Sequence, residues 1–538
     1  MKGRIALVQP YVDPGRSLGI RKAPTGIQYI AAQLESYDVM IFHDYADRIN
    51  AALKTFQPEH VGVSSMSNNF PEARAVAEFV KANFEPNVSV TLGGWHSSGC
   101  IVEYQKWQNT NGIHGERETL EEILHHGSPF DFVMNGEGEF SYRKFLGMLQ
   151  EGATKDSLAV VSGIGFLDDN GNIALTAPQS IADLNKLNHP SWKGLNFNEY
   201  RDLRTGDLDI SVHFNRGCRF ACDFCATPGI YGRGVRTTGA TRAVDYIESL
   251  LRNFRPNVIT FTDEDFFVNL KWVEEVTSEI ARRNLNVGYN VRFDTFATVM
   301  DIHRFQKNGK GNLLDRMMEA GFSSFTIGVE TLNGATIELY NKADKMVAPM
   351  MTEGEKTAYR SNLFPDRKRK LLEEVYFREV QRAINFAHEH GILIIGDYII
   401  GHPTESEADV RMGFERFSNL QNLFFAYVPI YTPFPGVGLW GQDYRSGKII
   451  RTAKEGIDWS RFDASAGAMR LDYDGQQLRD GLEQRFYTSE RYQRDMAEEL
   501  QRNPARLNMF RNRFAYLNNM YPANTKISRI LGDLRKTR

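Results

Sequence analysis

Short apolar runs alternate with amphipathic helical stretches in two long series, and that alternation restricts the chain to two mostly parallel sheets covered by helices. In the first series the runs are RIALVQP (4–10), VMIF (39–42), HVGVSS (60–65), VSVTLGG (88–94) and FDFVMNGEGE (130–139). Helical periodicity falls between them in PTGIQYIAAQLES (24–36), DRINAALKTF (47–56), EARAVAEFVKANF (72–84) and ETLEEILHH (118–126). Residues 1–145 are therefore expected to form an open, doubly wound α/β sheet, whose ligands bind beyond the carboxyl ends of its strands. Those ends carry Gln9-Pro10, Phe42-His43, Ser64-Ser65-Met66 and Gly93-Gly94-Trp95-His96. The Gly-Gly pair either lets a ligand approach the backbone or makes a tight turn. Gly136-Glu137-Gly138-Glu139 either positions a carboxylate or turns the chain.

Periodicity lapses in a connector over 146–205, where VVSGIGFLDDNGNIAL reads as a hairpin around its DDNG turn. The second series runs through 206–445, with helices in RAVDYIESLLRNF, KWVEEVTSEIARRN, LLDRMMEAG and YFREVQRAINFAHEHG. Such βα repetition closes into a full or partial barrel, with functional residues at the strand carboxyl ends. Residues 343–371 interrupt it as an insertion that fits a lid, a redox-partner surface or a plain excursion. The remainder, 446–538, reads as a mostly helical domain whose aromatics pack on the barrel while its arginines turn outward. Its end, ISRILGDLRKTR, reads as a basic tail that frays.

The chain has four cysteines, too few for a disulfide scaffold. Cys100 stands alone, whereas Cys218, Cys222 and Cys225 follow the strand in ISVHFNRGCRFACDFCATPGIYG (210–232). Three thiolates in one loop suit a soft metal centre, zinc or an iron–sulfur cluster. Structural zinc needs four ligands. His213 or Cys100 would have to supply the fourth, which weighs against a zinc module.

The spacing Cys218-x3-Cys222-x-Phe224-Cys225, preceded by Arg216-Gly217, resembles the signature of radical S-adenosylmethionine (SAM) enzymes with an upstream cobalamin-binding-like domain. ITFTDEDFF (259–267), FTIGVET (325–331), ILIIGDYIIGHPTES (392–406) and TPFPGVGLW (432–440) resemble further elements of that family, with Thr331 and Val437 departing from its usual Ser and Thr. The likeness covers about 200–445, and a weaker one to the cobalamin domain covers 1–145. It implies an N-terminal Rossmann-like sheet, a central radical SAM barrel and a C-terminal helical domain. It also implies a [4Fe-4S] cluster on Cys218, Cys222 and Cys225, with none on Cys100. SAM is expected against Asp263, Glu264, Asp265, Glu330, Gly396 and Asp397, its amino group near the acidic loop 263–265. Cobalamin is expected at Ser64, Ser65, Gly93 and Gly94. The Asp-x-His-x-x-Gly motif of base-off cobalamin proteins is absent, which leaves water, His96 or a bare lower face on cobalt.

A formal charge of −3, from 64 basic and 67 acidic residues, gives no field for nucleic acid, and no run approaches a membrane span. The start reads as a first strand rather than a signal peptide, so the expected compartment is the cytoplasm. The resemblance implies a small-molecule substrate and an external one-electron donor such as flavodoxin or ferredoxin. The leading activity is methyl transfer to an unactivated carbon by way of a 5'-deoxyadenosyl radical and methylcobalamin. The alternatives are a cyclisation or rearrangement without net methyl transfer, and modification of RNA.

Overall fold

The computed structural model describes residues 2–12, 22–84, 88–202, 205–309, 311–361, 364–453 and 456–536. Residues 362–363 of the 343–371 insertion and the last two residues of the basic tail therefore lie outside the described set.

The N-terminal sheet has seven strands: β1 (Lys2–Val8), β2 (Tyr37–Phe42), β3 (His60–Ser64), β4 (Ser89–Gly93), β5 (Phe132–Met134), β6 (Ile164–Leu167) and β7 (Ile173–Leu175). Their order is β2-β1-β3-β4-β5-β6-β7. The first five are parallel, and the hairpin β6–β7 continues the sheet in antiparallel pairing. The apolar runs are continuous because both faces are covered. Ile5 and Leu7 of β1 meet Ile27, Tyr142 and Phe145 on one face. Ala6 and Val8 meet Ala73, Val76 and Ile101 on the other. The winding direction reverses between β1 and β3, which opens a crevice at the strand carboxyl ends.

The second half contains β8 (Asp209–Val212), β9 (Asn215–Arg216), β10 (Arg236–Thr237), β11 (Val258–Phe261), β12 (Arg292–Ala297), β13 (Phe322–Glu330), β14 (Leu393–Tyr398) and β15 (Leu423–Tyr427). Six of them form a parallel sheet in the order β15-β14-β13-β12-β11-β8, while β9 and β10 make a separate ribbon. The strands follow chain order, and β8 and β15 remain edges among the described residues, so this is a partial barrel. Its helices are amphipathic at helical spacing. Ala240–Phe254, for example, buries Ala243, Val244, Ile247, Leu250 and Leu251.

The tail forms helices Gly475–Tyr487, Glu490–Arg502, Leu507–Met520 and Thr525–Lys536. Two expectations for it are corrected. Several arginines turn inward rather than outward, because the ends of nearby strands and helices offer carbonyls. Arg513 donates to the Ala426 carbonyl (2.7 Å) and Arg491 to that of Leu420 (2.9 Å). The basic end does not fray where it is described, since Ile527, Ile530, Leu531 and Leu534 bury one face of its helix. Residues between 431 and 469 return to the N-terminal sheet, where Trp440, Trp459 and Phe462 join the core around Phe70. Within the insertion, Glu353–Ser361 is helical, and Pro365 begins a helix that runs to Glu389. No described helix is long and apolar enough to cross a membrane.

Candidate active site

The cysteines emerge where β8 gives way to the β9–β10 ribbon. Gly217 has φ +91°, and a Cβ there would lie 2.4 Å from the Gly234 carbonyl oxygen, so the turn into Cys218 requires glycine. Asp263, beyond the end of β11, accepts hydrogen bonds from the Phe214 amide (2.8 Å) and the Asn215 amide, tying the loop to the sheet. The other side of the loop is held by Asn341, which donates to the Ala221 carbonyl (3.0 Å), and by Tyr340, whose ring packs on Phe224. The TPFPGVGLW turn packs here too, through a Leu439 amide bond to the Asp223 carbonyl (2.9 Å).

Burial pushes the Cys218 and Cys222 thiols up to about 12 and raises Cys225. Among the described residues no three His, Cys, Asp or Glu side chains gather to hold a single metal ion. The donor set still fits a cluster, in which each thiolate takes a different iron and the sulfurs stay apart. Cys100 is fully buried in the N-terminal core with its Sγ 3.8 Å from His96 Nε2. His213 is occupied by Glu264, at 3.0 Å.

Carboxylates dominate the strand ends around the cysteines. Burial raises Asp263 to about 6, and its Oδ2 has no hydrogen-bond partner among the described residues. Asp265 is raised to about 7 by burial and by the adjacent Asp301 carboxylate, while Arg219 pairs with both acids. Glu330 ends β13 at φ +66°, a strained conformation for a side-chain-bearing residue, with Lys342 Nζ 4.0 Å away. Asp397 on β14 is raised well above the usual carboxylate range by burial and by Glu330, and its Oδ1 is unpartnered among the described residues. These buried acceptors fit a ligand that brings positive charge, as the ammonium and sulfonium of SAM do. Gly396 faces the other way: its missing Cβ makes room for the Phe417 ring.

A cleft of about 500 Å³ separates the carboxyl ends of the N-terminal strands from Ser211, Arg216 and Thr262 of the second domain. Ser64, Gly93 and Gly94 line it. Gly94 has φ +92° and ψ −170°, and a Cβ there would strike the Ser65 carbonyl at 2.5 Å. At Gly93 nothing approaches within 3.8 Å of the missing Cβ, so the backbone is open to a ligand. This cradle of small residues and apolar side chains fits a bulky planar group such as a corrin. Ser65 and His96 do not line the cleft. The Ser65 hydroxyl serves its own turn, donating to the Met66 carbonyl at 2.7 Å. His96 lies between Phe70 and Trp459 with Nδ1 3.1 Å from Ser67 Oγ, and burial lowers it to about 3. It is a neutral core residue, and the described cleft lining contains no His.

Four residues of the site, Glu137, Glu139, Arg216 and Arg236, were not among the expected site residues. Arg216 is buried with NH1 2.7 Å from Glu137 and NH2 against Glu139, and Arg236 also binds Glu137. The Gly-Glu-Gly-Glu string was the available signal, and it positions two carboxylates rather than only turning the chain.

Residues 212–416 match the model of the Radical SAM superfamily. This stretch is a radical SAM domain. Over 87% of this chain and 88% of its own length, an uncharacterized methyltransferase of Pyrococcus horikoshii is 22% identical. The anaerobic magnesium-protoporphyrin IX monomethyl ester cyclase of Rubrivivax gelatinosus is 22% identical over 80% of this chain and 68% of its own. Among solved structures, the radical SAM methyltransferase TsrM of Kitasatospora setae, with cobalamin and a [4Fe-4S] cluster bound, matches with a TM-score of 0.59 and 16% identity. That match covers 84% of this chain and 80% of TsrM. The likeness is one of fold.

Proposed function

We propose that the chain is a cobalamin-dependent radical SAM enzyme that transfers a methyl group to an unactivated carbon of a small molecule. One observation carries the reading: the small-residue cleft of the N-terminal sheet is bounded on its other side by Ser211, Arg216 and Thr262, in the segments from which the cysteine loop and the acidic loop depart. When bound, a [4Fe-4S] cluster on Cys218, Cys222 and Cys225 supplies one-electron cleavage of SAM, and cobalamin supplies a methyl donor. An external donor of the flavodoxin or ferredoxin kind provides the electron.

The chain's own groups bind, orient and shield. Asp263 holds the turn from which the cysteine loop departs, leaving Oδ2 for a ligand ammonium. Asp265 and Glu264 border the same loop, while Glu330 and Asp397 present acid on the neighbouring strand ends, with Gly396 beside them. Charge-assisted bonds to these groups orient SAM. Ser64, Gly93 and Gly94 admit the corrin to backbone contact, and Ser65 sets their turn. Apolar lining such as Leu7, Ile27 and Ile230 keeps water from the reacting groups.

Likeness to the cyclase favours a second reading, ring formation without net methyl transfer. The test is anaerobic reconstitution with iron, sulfide and hydroxocobalamin, then incubation with reductant, candidate small molecules and SAM labelled in its methyl group. Mass spectrometry should find the label in a product. Label confined to methionine, beside a product altered without gaining mass from methyl, selects the cyclase reading.

A further inference from the structure

The β9–β10 ribbon contains an electrostatic conflict that another domain resolves. Arg216 and Arg236 are directly opposed in its antiparallel register. Like charges in that relation repel, and Arg216 is only 5% exposed, so water does little to screen it. Glu137 lies between the two arginines. Its Oε1 accepts from Arg216 at 2.7 Å, and its Oε2 accepts from Arg236 and from the Ile181 amide at 2.8 Å. Glu139 takes the remaining arm of the Arg216 fork. Both carboxylates are nearly fully buried, so two acids and two bases close a neutral set. Both acids belong to the first domain, in the turn after β5 and the first residue of helix Glu139–Gln150.

That turn also forms part of the cleft wall. Gly136, Glu137, Gly138 and Glu139 line it, as does Arg216 from the other side. The Gly136 amide is anchored by Ser98 Oγ (3.0 Å), itself a lining residue, and Gly138 lies against Ile30, another lining residue. Whatever fills the cleft therefore bears on the residues that grip Arg216, and Arg216 is separated from Cys218 by Gly217 alone.

We infer that Glu137 and Glu139 are positioning residues that couple occupancy of the cleft to the geometry of the cysteine loop. The inference rests on the reading of the cleft as a corrin site. A ligand that fixes the 136–139 turn fixes both arginines, and a cluster that fixes the loop fixes them from the other side. Each ligand thus strengthens the other by the same factor.

The experiment uses the full chain, with and without its reconstituted cluster, titrated with hydroxocobalamin and followed by visible absorption. In the parent, the cluster should tighten corrin binding about fivefold or more, the lower range of such couplings. The electron paramagnetic resonance signal of the reduced cluster should shift on adding corrin. In Glu139→Gln both effects should collapse at unchanged iron content, because the neutral amide no longer pairs with Arg216. If that variant fails to fold, Glu139→Asp keeps the charge but retracts it, and a reduced coupling is expected. Coupling retained in full in these variants, or corrin binding equally well with and without cluster in the parent, overturns the latch alone. A parent that holds its cluster but binds no corrin overturns the cobalamin reading as well.

Discussion

Parallel strands of both sheets border the cleft, those of the first through Ser64, Gly93 and Gly94 and those of the second through Ser211 and Thr262, yet the two sets of strand ends are built from opposite materials. The N-terminal sheet offers Ser64, Gly93 and Gly94 with an apolar surround, and its charged lining at Glu137 and Glu139 is neutralised by Arg216 and Arg236. The radical SAM sheet offers three thiols and several buried carboxylates, among them Asp263 and Asp397 with unpartnered oxygens. A wall of small residues recognises a ligand by shape and backbone approach, whereas buried acids with single oxygens left unpartnered among the described residues favour a cationic ligand. Under the proposed function, this contrast would let SAM and a corrin bind without competing.

The largest effect that can break this comparison falls on the cysteines. Cys218→Ala, Cys222→Ala and Cys225→Ala should each lose nearly all iron and sulfide after reconstitution. Cys100→Ala should match the parent, because that thiol is fully buried in the first domain. Loss of cluster in Cys100→Ala would join the two regions in a way the contrast forbids.

Next in size is the small-residue wall. Gly94→Ala places a Cβ where φ +92° and ψ −170° disfavour it, 2.5 Å from the Ser65 carbonyl. The strain of about 1–3 kcal/mol should lower the melting temperature and weaken corrin uptake in titration, with iron content preserved. Unchanged corrin affinity would remove Gly94 from the site.

A smaller effect sharpens the acidic side. With Asp265 raised to about 7 and Asp263 to about 6, protons compete with a ligand ammonium as pH falls through those values. Calorimetric affinity for SAM should therefore be highest above about pH 7 and weaken on acidification, by at most about tenfold per pH unit for each group. A flat profile between pH 8 and pH 6 would detach these carboxylates from SAM. The smallest effect is expected at His96. Because its ring sits between Phe70 and Trp459, His96→Phe should leave the visible spectrum of bound corrin unchanged. A spectral shift would put the imidazole on cobalt.

What the sequence revealed divides along the same line. The second half was legible as a radical SAM domain, since its cysteines are spaced within one loop and its apolar strand runs follow the family's order. The N-terminal half was legible as an alternation of strands and helices with a weaker resemblance, so the crevice could be placed and Ser64, Gly93 and Gly94 set on it, but Ser65 and His96 were set there too and do not line it. His96 follows the Gly-Gly turn, yet its ring is claimed by Trp459, more than three hundred residues downstream. Glu137 and Glu139 meet Arg216 across a similar gap in information, 79 and 77 residues away. The inward arginines of the tail have the same origin, because Arg513 satisfies a carbonyl on β15 that local sequence does not advertise. Local periodicity specifies elements, while such pairings arise only when distant elements are brought together.

The claim that one opening serves both a cluster and a corrin is tested most directly by stoichiometry. The full chain, reconstituted anaerobically with iron and sulfide, is given excess hydroxocobalamin, passed through gel filtration, and assayed for iron and for corrin by its visible spectrum. The account predicts four irons and about one corrin per chain in the same fraction. A protein that retains its iron–sulfur cluster and elutes without corrin would contradict it.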